Sequence, residues 1–531
     1  MKRILCTLLC LVFLGALAGC DGSYKADMSF QYILSRDIST LDPQTASGSS
    51  AENVINSIFE GLCRVDEKGE VSPGVAKSWK ANQDSTSFTF SLRGDAKWSN
   101  GDSVTAFDFV YGIQRALTPE TGAPSVDDLY IIRNASAVHS GSADMDSLGI
   151  RAEDERTLVI DLESSYSDFP ALTASMHYMP CNQEYFEASE GHYGQDSRYL
   201  ITNGPFTFSS SYSWSTTDMG TESIGLVRSN DYRGEHSVKP AYLTYLVRYD
   251  SKIDDDPIGA LTNGDIDIMR LSERKAKEAE ETGCGLEVLD DGVRGLLLNP
   301  RAESLAAPAV REIFVKTLER EELLTRLDSD GRGAEAQGIM PDCVLWNGEP
   351  YYGEGESVYT QQDDSVTSNI QGVVSSLDME KMPSITVICP DDEESIRIAN
   401  GLLTVWNKKL SNAYNILPLS ESDFNSRIAN GDYDAALYTL RASGTSPYSV
   451  LKAFESTASP QLMEDSTYDA DLHEARFSMS DYRELEAEIR DSYVFYPLNT
   501  EDSYYAVNPK ARDISVSPGT GLDFSQARKQ K

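Results

Sequence analysis

The chain has 531 residues, a length for roughly two to four domains, and its 40% hydrophobic content is enough for real cores. A formal net charge of −38 at pH 7 excludes the basic footprint that nucleic-acid binding needs, and general adhesion to anionic lipid with it. The acidic balance reads as a solvated, soluble surface.

The chain opens on Lys2 and Arg3, followed from Ile4 to Ala18 by an almost wholly apolar run. That run is short of the about 20 apolar residues of a membrane span. It fits the core of a secretory leader ending at small residues. Leu17-Ala18-Gly19-Cys20 resembles the bacterial lipobox, in which a peptidase cuts before a cysteine already carrying a diacylglycerol. This implies a signal peptide over 1–19, a lipid on Cys20 and a polar tether over 20–27. Two acyl chains meet the about two anchoring signals that stable membrane attachment requires. No later apolar run approaches membrane length, so the body is expected to be soluble and extracytoplasmic, on the periplasmic face or the cell surface.

Apolar alternation over 28–34 predicts a strand. Val54, Ile55, Ile58, Phe59 and Leu62 carry helical spacing over 52–62, and 66–70 reads as a turn. Phe88, Phe90 and Leu92 mark a strand over 86–93, and Ser99-Asn100-Gly101-Asp102 a hairpin-type turn. Thr105 and Asp108 form a capping pattern for a helix to about Leu117, with Val110, Ile113 and Leu117 inward. Leu158, Ile160 and Leu162 mark another strand, and 308–319 another helix. The stretch 353–380 is weak in pattern and reads as loop. Beyond it the chain alternates strand 384–389, helix 394–411, a strand near Ile416, helix 421–429, strand 432–440 and helix 447–455. Alternation of this kind predicts a parallel sheet with right-handed crossovers.

Catalytic and metal motifs are missing. The five histidines form neither HExxH nor a close pair, and there is no GxSxG elbow or GxxxxGK[ST] phosphate loop. Asp254-Asp255-Asp256 and Asp265/Asp267 lack the glycine and distal glutamate of an EF-hand. Eight cysteines are present; beyond the leader and Cys20 five remain, at 63, 181, 284, 343 and 389, scattered and with no CxxC pair. They read chiefly as small core residues. No catalytic residue, metal ligand or cofactor is assigned.

Several segments in order resemble the extracytoplasmic solute-binding proteins of peptide-transport ABC systems, the oligopeptide- and dipeptide-binding (peptide/nickel-type) family. They are Ser39–Pro43, Ile58–Leu62, Pro73–Trp79, Leu148–Ala152, Thr202–Phe206, Asn263–Asp267 and the helix 308–322 with its Val310-Arg311 and Glu319-Arg320-Glu321. The fullest match is 88–110, FTFSLRGDAKWSNGDSVTAFDFV, whose Phe88, Phe90, Trp98, Phe107 and Phe109 read as core positions.

The resemblance implies an α/β, two-lobed periplasmic-binding-protein-like fold (class II, large cluster) with an extra domain inserted in lobe one. By position, 28–55, 180–290 and 500–531 form lobe one, 56–179 the inserted domain and 291–499 lobe two. It further implies a monomer that holds a peptide or other small solute between its lobes and delivers it to an ABC permease with its ATPase.

In peptide-binding members a W-x-A-D-Y-x-x-P segment of lobe two supplies an aspartate to the peptide's amino terminus. Here the segment runs Leu440, Arg441, Ala442, Ser443, Gly444 to Pro447, with serine in the aspartate's place. Truncating one partner of a buried charge pair costs roughly 2–5 kcal/mol, or about 30- to several-thousand-fold in affinity. Amine capture then falls to another carboxylate, or the ligand is not a conventional peptide. Arg441 would prefer an anion if it faced the cleft. On the opposite lobe, Ala46, Ser47 and Gly48 correspond to a ligand-lining edge. Alternatives are the same fold with an opine, metal chelate or glycoside-like ligand, a surface lipoprotein acting as sensor or adhesin, and a secreted hydrolase.

Overall fold

The computed structural model describes residues 28–34, 38–66, 69–124, 126–209, 214–216, 222–234, 236–249, 251–318, 334–359, 370–377, 379–410, 414–474 and 478–530. The leader, Cys20 and the tether lie outside them, as do residues 319–322 of the family-like helix.

Strand β1 (Ser29–Ile33) leads to helix α1 (Ser49–Ile58), which buries Val54, Ile55 and Ile58. The helix starts and stops earlier than the apolar spacing predicts. Phe59–Leu62 are buried but extended, because the Asn203 amide takes both backbone groups of Glu60, accepting from its N–H at 3.1 Å and donating to its carbonyl at 2.9 Å. A helical Glu60 would need those groups within its own turn.

The chain then builds β2 (Ala76–Ala81), β3 (Ser87–Leu92), α2 (Ala106–Leu117), β4 (Ile150–Asp154) and β5 (Thr157–Asp161). The strands form an antiparallel sheet in the order β2-β3-β5-β4. Phe88, Phe90 and Leu92 all face inward, and Phe169 packs on both phenylalanine rings, with centroids 5.2 and 6.2 Å away. Thr105 and Asp108 close the expected capping box, with the Thr105 N–H donating to Oδ2 of Asp108 at 2.7 Å. Phe107 corrects the sequence expectation. It is 55% exposed, because the α2 face that packs inward carries Ala106, Phe109, Ile113 and Ala116, and position 107 falls outside it.

Strands β6 (Phe206–Phe208), β7 (Ser223–Arg228) and β8 (Tyr242–Leu246) return to β1 in the order β1-β8-β7-β6. The β1–β8 pair is parallel, with Ser29 opposite Tyr242. Strand β9 (Ile268–Leu271), helix α3 (Glu273–Glu281) and strand β10 (Gly285–Leu289) follow. After Asp290–Asp291 the chain enters the second lobe with β11 (Gly292–Leu298), whose seven residues are all buried.

The second lobe continues through α4 (Pro308–Lys316), α5 (Ile370–Ser376), β12 (Thr386–Pro390), α6 (Glu393–Lys409), β13 (Asn415–Leu419), α7 (Glu421–Asn430), β14 (Ala435–Arg441), α8 (Tyr448–Leu451), α9 (Met479–Ser492) and β15 (Phe495–Thr500). Its sheet runs β13-β12-β14-β11-β15. Strand β12 is parallel to β13 and β14, as the alternation predicts. Strands β11 and β15 are antiparallel additions to that parallel half. Asp392 caps α6 by accepting from the Ser395 N–H at 2.9 Å. The buried face of α6 centres on Ile398, Leu402 and Trp406, and the Trp406 indole donates to the Phe314 carbonyl at 3.0 Å. Helix α5 lies in the stretch that reads as loop.

At Glu501–Asp502 the chain crosses back into β16 (Ser503–Val507), which fills the centre of a β9-β16-β10 sheet. A final hairpin, β17 (Ser515–Ser517) with β18 (Gly521–Asp523), docks on α1, where Asn53 Oδ1 accepts from the Leu522 N–H at 2.9 Å. Cys63, Cys181, Cys284, Cys343 and Cys389 are all free thiols, and all but Cys343 are buried. No described helix is long and apolar enough to cross a membrane.

The interlobe cleft as candidate ligand site

A cavity of about 1780 Å³ opens between the lobes. On the first lobe it is walled by β1, the first turn of α1, β9 and the start of α3; on the second, by the β12–α6 turn, α7 and β14. The crossing at 499–505 forms its floor. The volume exceeds the ~300–1,000 Å³ of a typical small-molecule pocket.

Two arginines dominate the floor, and neither is free. Arg294 Nε lies 2.6 Å from Oε2 of Glu501, and its Nη1 lies 3.0 Å from Glu394 on α6. Arg441 Nη1 reaches Asp291 at 2.6 Å, the Glu501 carbonyl at 3.1 Å and Ser503 Oγ at 3.0 Å. Ser503 in turn donates to Asp291 at 2.8 Å, and Thr439 to Glu501 at 2.6 Å. Burial opposes ionisation of Glu501, but Arg294, Arg441 and Thr439 outweigh it and pull its carboxyl down to about 2. Asp291 belongs to one chain crossing and Glu501 to the other. Arg441 therefore ties the two crossings together, and its charge is compensated before any ligand arrives.

The remaining positions singled out in the sequence are spread around this floor. Leu440 is core, and the Ala442 N–H donates to the Asp291 carbonyl at 2.9 Å. Ser443 Oγ donates to the Ser449 carbonyl at 3.2 Å. Gly444 faces Gly519 in the β17–β18 turn, where an added Cβ on Gly519 would lie 3.0 Å from the Gly444 Cα. Ala46 is fully buried, while Ser47 and Gly48 are exposed just before α1, with Gly48 at φ +84°. Of these positions Arg441 lines the cavity; on the first lobe the lining begins one residue later, with Ser49, Glu52 and Asn53.

Two cavity carboxyls are pushed the other way from Glu501. Burial, partly opposed by His177 and Lys452, raises Glu52 to about 7. Burial and then Asp290 raise Asp502 to about 6. Neither residue stands out in the sequence, because a chain with 84 acidic residues offers no pattern that marks the buried ones. Among the described residues no group of three or more His, Cys, Asp or Glu is placed to hold a metal ion.

Two α/β lobes joined by two crossings around a polar cavity make up the architecture of a bilobal solute-binding protein. Residues 70–461 match the bacterial extracellular solute-binding proteins, family 5 Middle, and the chain belongs to that family. It is 23% identical to the dipeptide-binding protein DppE of Bacillus subtilis (strain 168), over 96% of this chain and 95% of that one. Over a shorter stretch, 28% of each chain, it is 42% identical to the periplasmic murein peptide-binding protein MppA of Escherichia coli (strain K12). The solved structure of Listeria monocytogenes OppA bound to peptide superposes with a TM-score of 0.72 at 21% identity, covering 95% of this chain and 99% of that one.

Proposed function

We propose that the protein is the lipid-anchored receptor of an ABC importer, capturing peptides or peptide-like solutes in the interlobe cleft and delivering them to the permease. The observation that carries the reading is a cavity of about 1780 Å³ between two lobes joined by two crossings, in a member of an extracellular solute-binding family. Relatives named for dipeptide and murein-peptide binding support the ligand class. The ligand's path is taken to run between the 46–49 edge of lobe one and the 438–444 edge of lobe two, and Cys20 to be the anchor. The lobes would close on the solute by hinge motion about the two crossings.

Mass spectrometry of small molecules co-purifying with the protein tests the ligand class. Peptides with free amino termini are the expected finding. A single defined non-peptide compound would instead favour the second reading, a non-peptide solute, which rests on Ser443 in the place of an amine-binding aspartate. The anchor has a separate test: Cys20→Ser should move the protein from the membrane to the soluble fraction, and retention at the membrane would sink the assignment.

A further inference from the structure

Most cavity carboxylates already have work to do. Glu501 and Glu394 neutralise Arg294, and Asp392 caps its own helix. Glu273 pairs with Lys277 at 2.5 Å, and Asp502 accepts from the Tyr504 hydroxyl at 3.4 Å. Asp391, Glu393 and Glu421 are exposed to solvent. Glu52 differs from all of these. It is half-buried in the first turn of α1, on the cavity wall, and no hydrogen bond or ion pair reaches its carboxyl from the described residues.

Its neighbours do not supply a partner. His177 is engaged through Nδ1 with Asp128 at 3.1 Å. Lys452, across on lobe two, acts on Glu52 through its field. Asp128 adds repulsion. Leu34, Val247, Val516 and Leu522 line the cavity from the same lobe. A carboxylate held in such surroundings gains most from a cation that enters with the ligand.

We propose that Glu52 is the receptor for a cationic amine of the bound solute, delivered from lobe one rather than lobe two. The inference rests on the reading of the cleft as a solute site and names the group that site selects. With a peptide the amine is the free N-terminus, and the ligand lies with that end against the first turn of α1. The opposite charge in the ligand would find Arg270, an exposed cavity-lining guanidinium on β9 for which the described residues supply no ion pair.

The test is calorimetric titration of the purified protein with trialanine, N-acetyl-trialanine and putrescine, for wild type, Glu52→Gln and Glu52→Asp. Wild type should bind trialanine about 30-fold or more tighter than its acetylated form, the lower end of what truncating a desolvated charge pair removes. Glu52→Gln should bring that ratio to within about 3-fold, and Glu52→Asp should retain part of it, on the same charge-pair argument. If trialanine binds and the ratio survives in Glu52→Gln, the Glu52 assignment falls while the peptide reading stands. Equal weakening of both peptides would assign Glu52 to lobe closure instead and also overturn it. If only putrescine binds, and Glu52→Gln abolishes this, the receptor stands and the peptide reading falls. Binding of none of the three by wild type overturns both.

Discussion

At Arg441 a single nitrogen, Nη1, meets Asp291, the Glu501 carbonyl and Ser503. Removing the side chain leaves Asp291 with Ser503 as its remaining side-chain donor here and deprives Glu501 of its second cation. Truncating such a pair costs roughly 2–5 kcal/mol when desolvated. Arg441 is 25% exposed, so the smaller figure of about 1–3 kcal/mol is expected after solvent screening. Urea unfolding of Arg441→Ala measures it, and an unchanged midpoint would show that the network does not hold the hinge.

The two shifted glutamates give opposite pH signatures. Glu501 is depressed to about 2 from an ordinary 4.5, so its contribution is present above pH 4.5 and lost as the pH falls toward 2. Glu52 is raised to about 7, so the folded state keeps the proton that the unfolded chain releases near 4.5, and stability falls as pH rises from 4.5 through 7. Its surroundings (His177 and Lys452 on one side of the balance, Asp128 on the other) are retained in Glu52→Gln. That variant should match wild type near pH 4 and exceed it at pH 8 by about 1–3 kcal/mol, the cost of ionising a carboxyl raised to about 7, reduced for its partial exposure, which the neutral amide does not bear. Melting curves at the two pH values decide it, and a Glu52→Gln variant that melts lower at pH 8 would contradict the assignment of an unpartnered carboxyl.

At the scale of elements, periodicity was readable wherever one face is buried and the other wet. Strand β3 alternates strictly, and the Thr105–Asp108 cap is visible in four letters. Strand β11 shows no alternation because both of its faces are covered, and so the antiparallel half of the second sheet escapes a periodicity reading. The site was less legible still. Arg294, Glu394 and Glu501 are separated by about a hundred residues each in the chain, and only the fold brings Arg294 to within 3.0 Å of both carboxylates. Helix α2 shows how far a family-like segment can be read residue by residue. Phe107 and Phe109 look equivalent in sequence, yet one is 55% exposed and the other fully buried. Phe109→Ala should cost about 3–5 kcal/mol and Phe107→Ser should stay within about 0.5 kcal/mol, both by chemical denaturation. Comparable losses would mean that the segment's aromatics form one packed unit.

For the whole molecule, one place where the lobes touch outside the crossings is the meeting of Gly519 with Ser443 and Gly444. Gly519 has φ +77°, and an added Cβ would lie 3.0 Å from both the Gly444 Cα and the Ser443 carbonyl. Gly122 offers a control, also at positive φ (+65°), with nothing within 4 Å of its added Cβ. Gly122→Ala and Gly519→Ala both carry a positive-φ backbone cost of roughly 1–2 kcal/mol. Only Gly519→Ala also wedges the lobes apart at the segment proposed to border the ligand. Thermal melting should therefore lower both variants by similar amounts, while X-ray scattering in the presence of a bound solute should show a larger radius of gyration for Gly519→Ala alone. Its affinity should fall with it, because a closed state that is less populated reduces apparent affinity in proportion. If the two variants close to the same radius and bind equally, the Gly519–Gly444 contact is not part of closure, and the hinge is governed by the Arg441 network at the crossings.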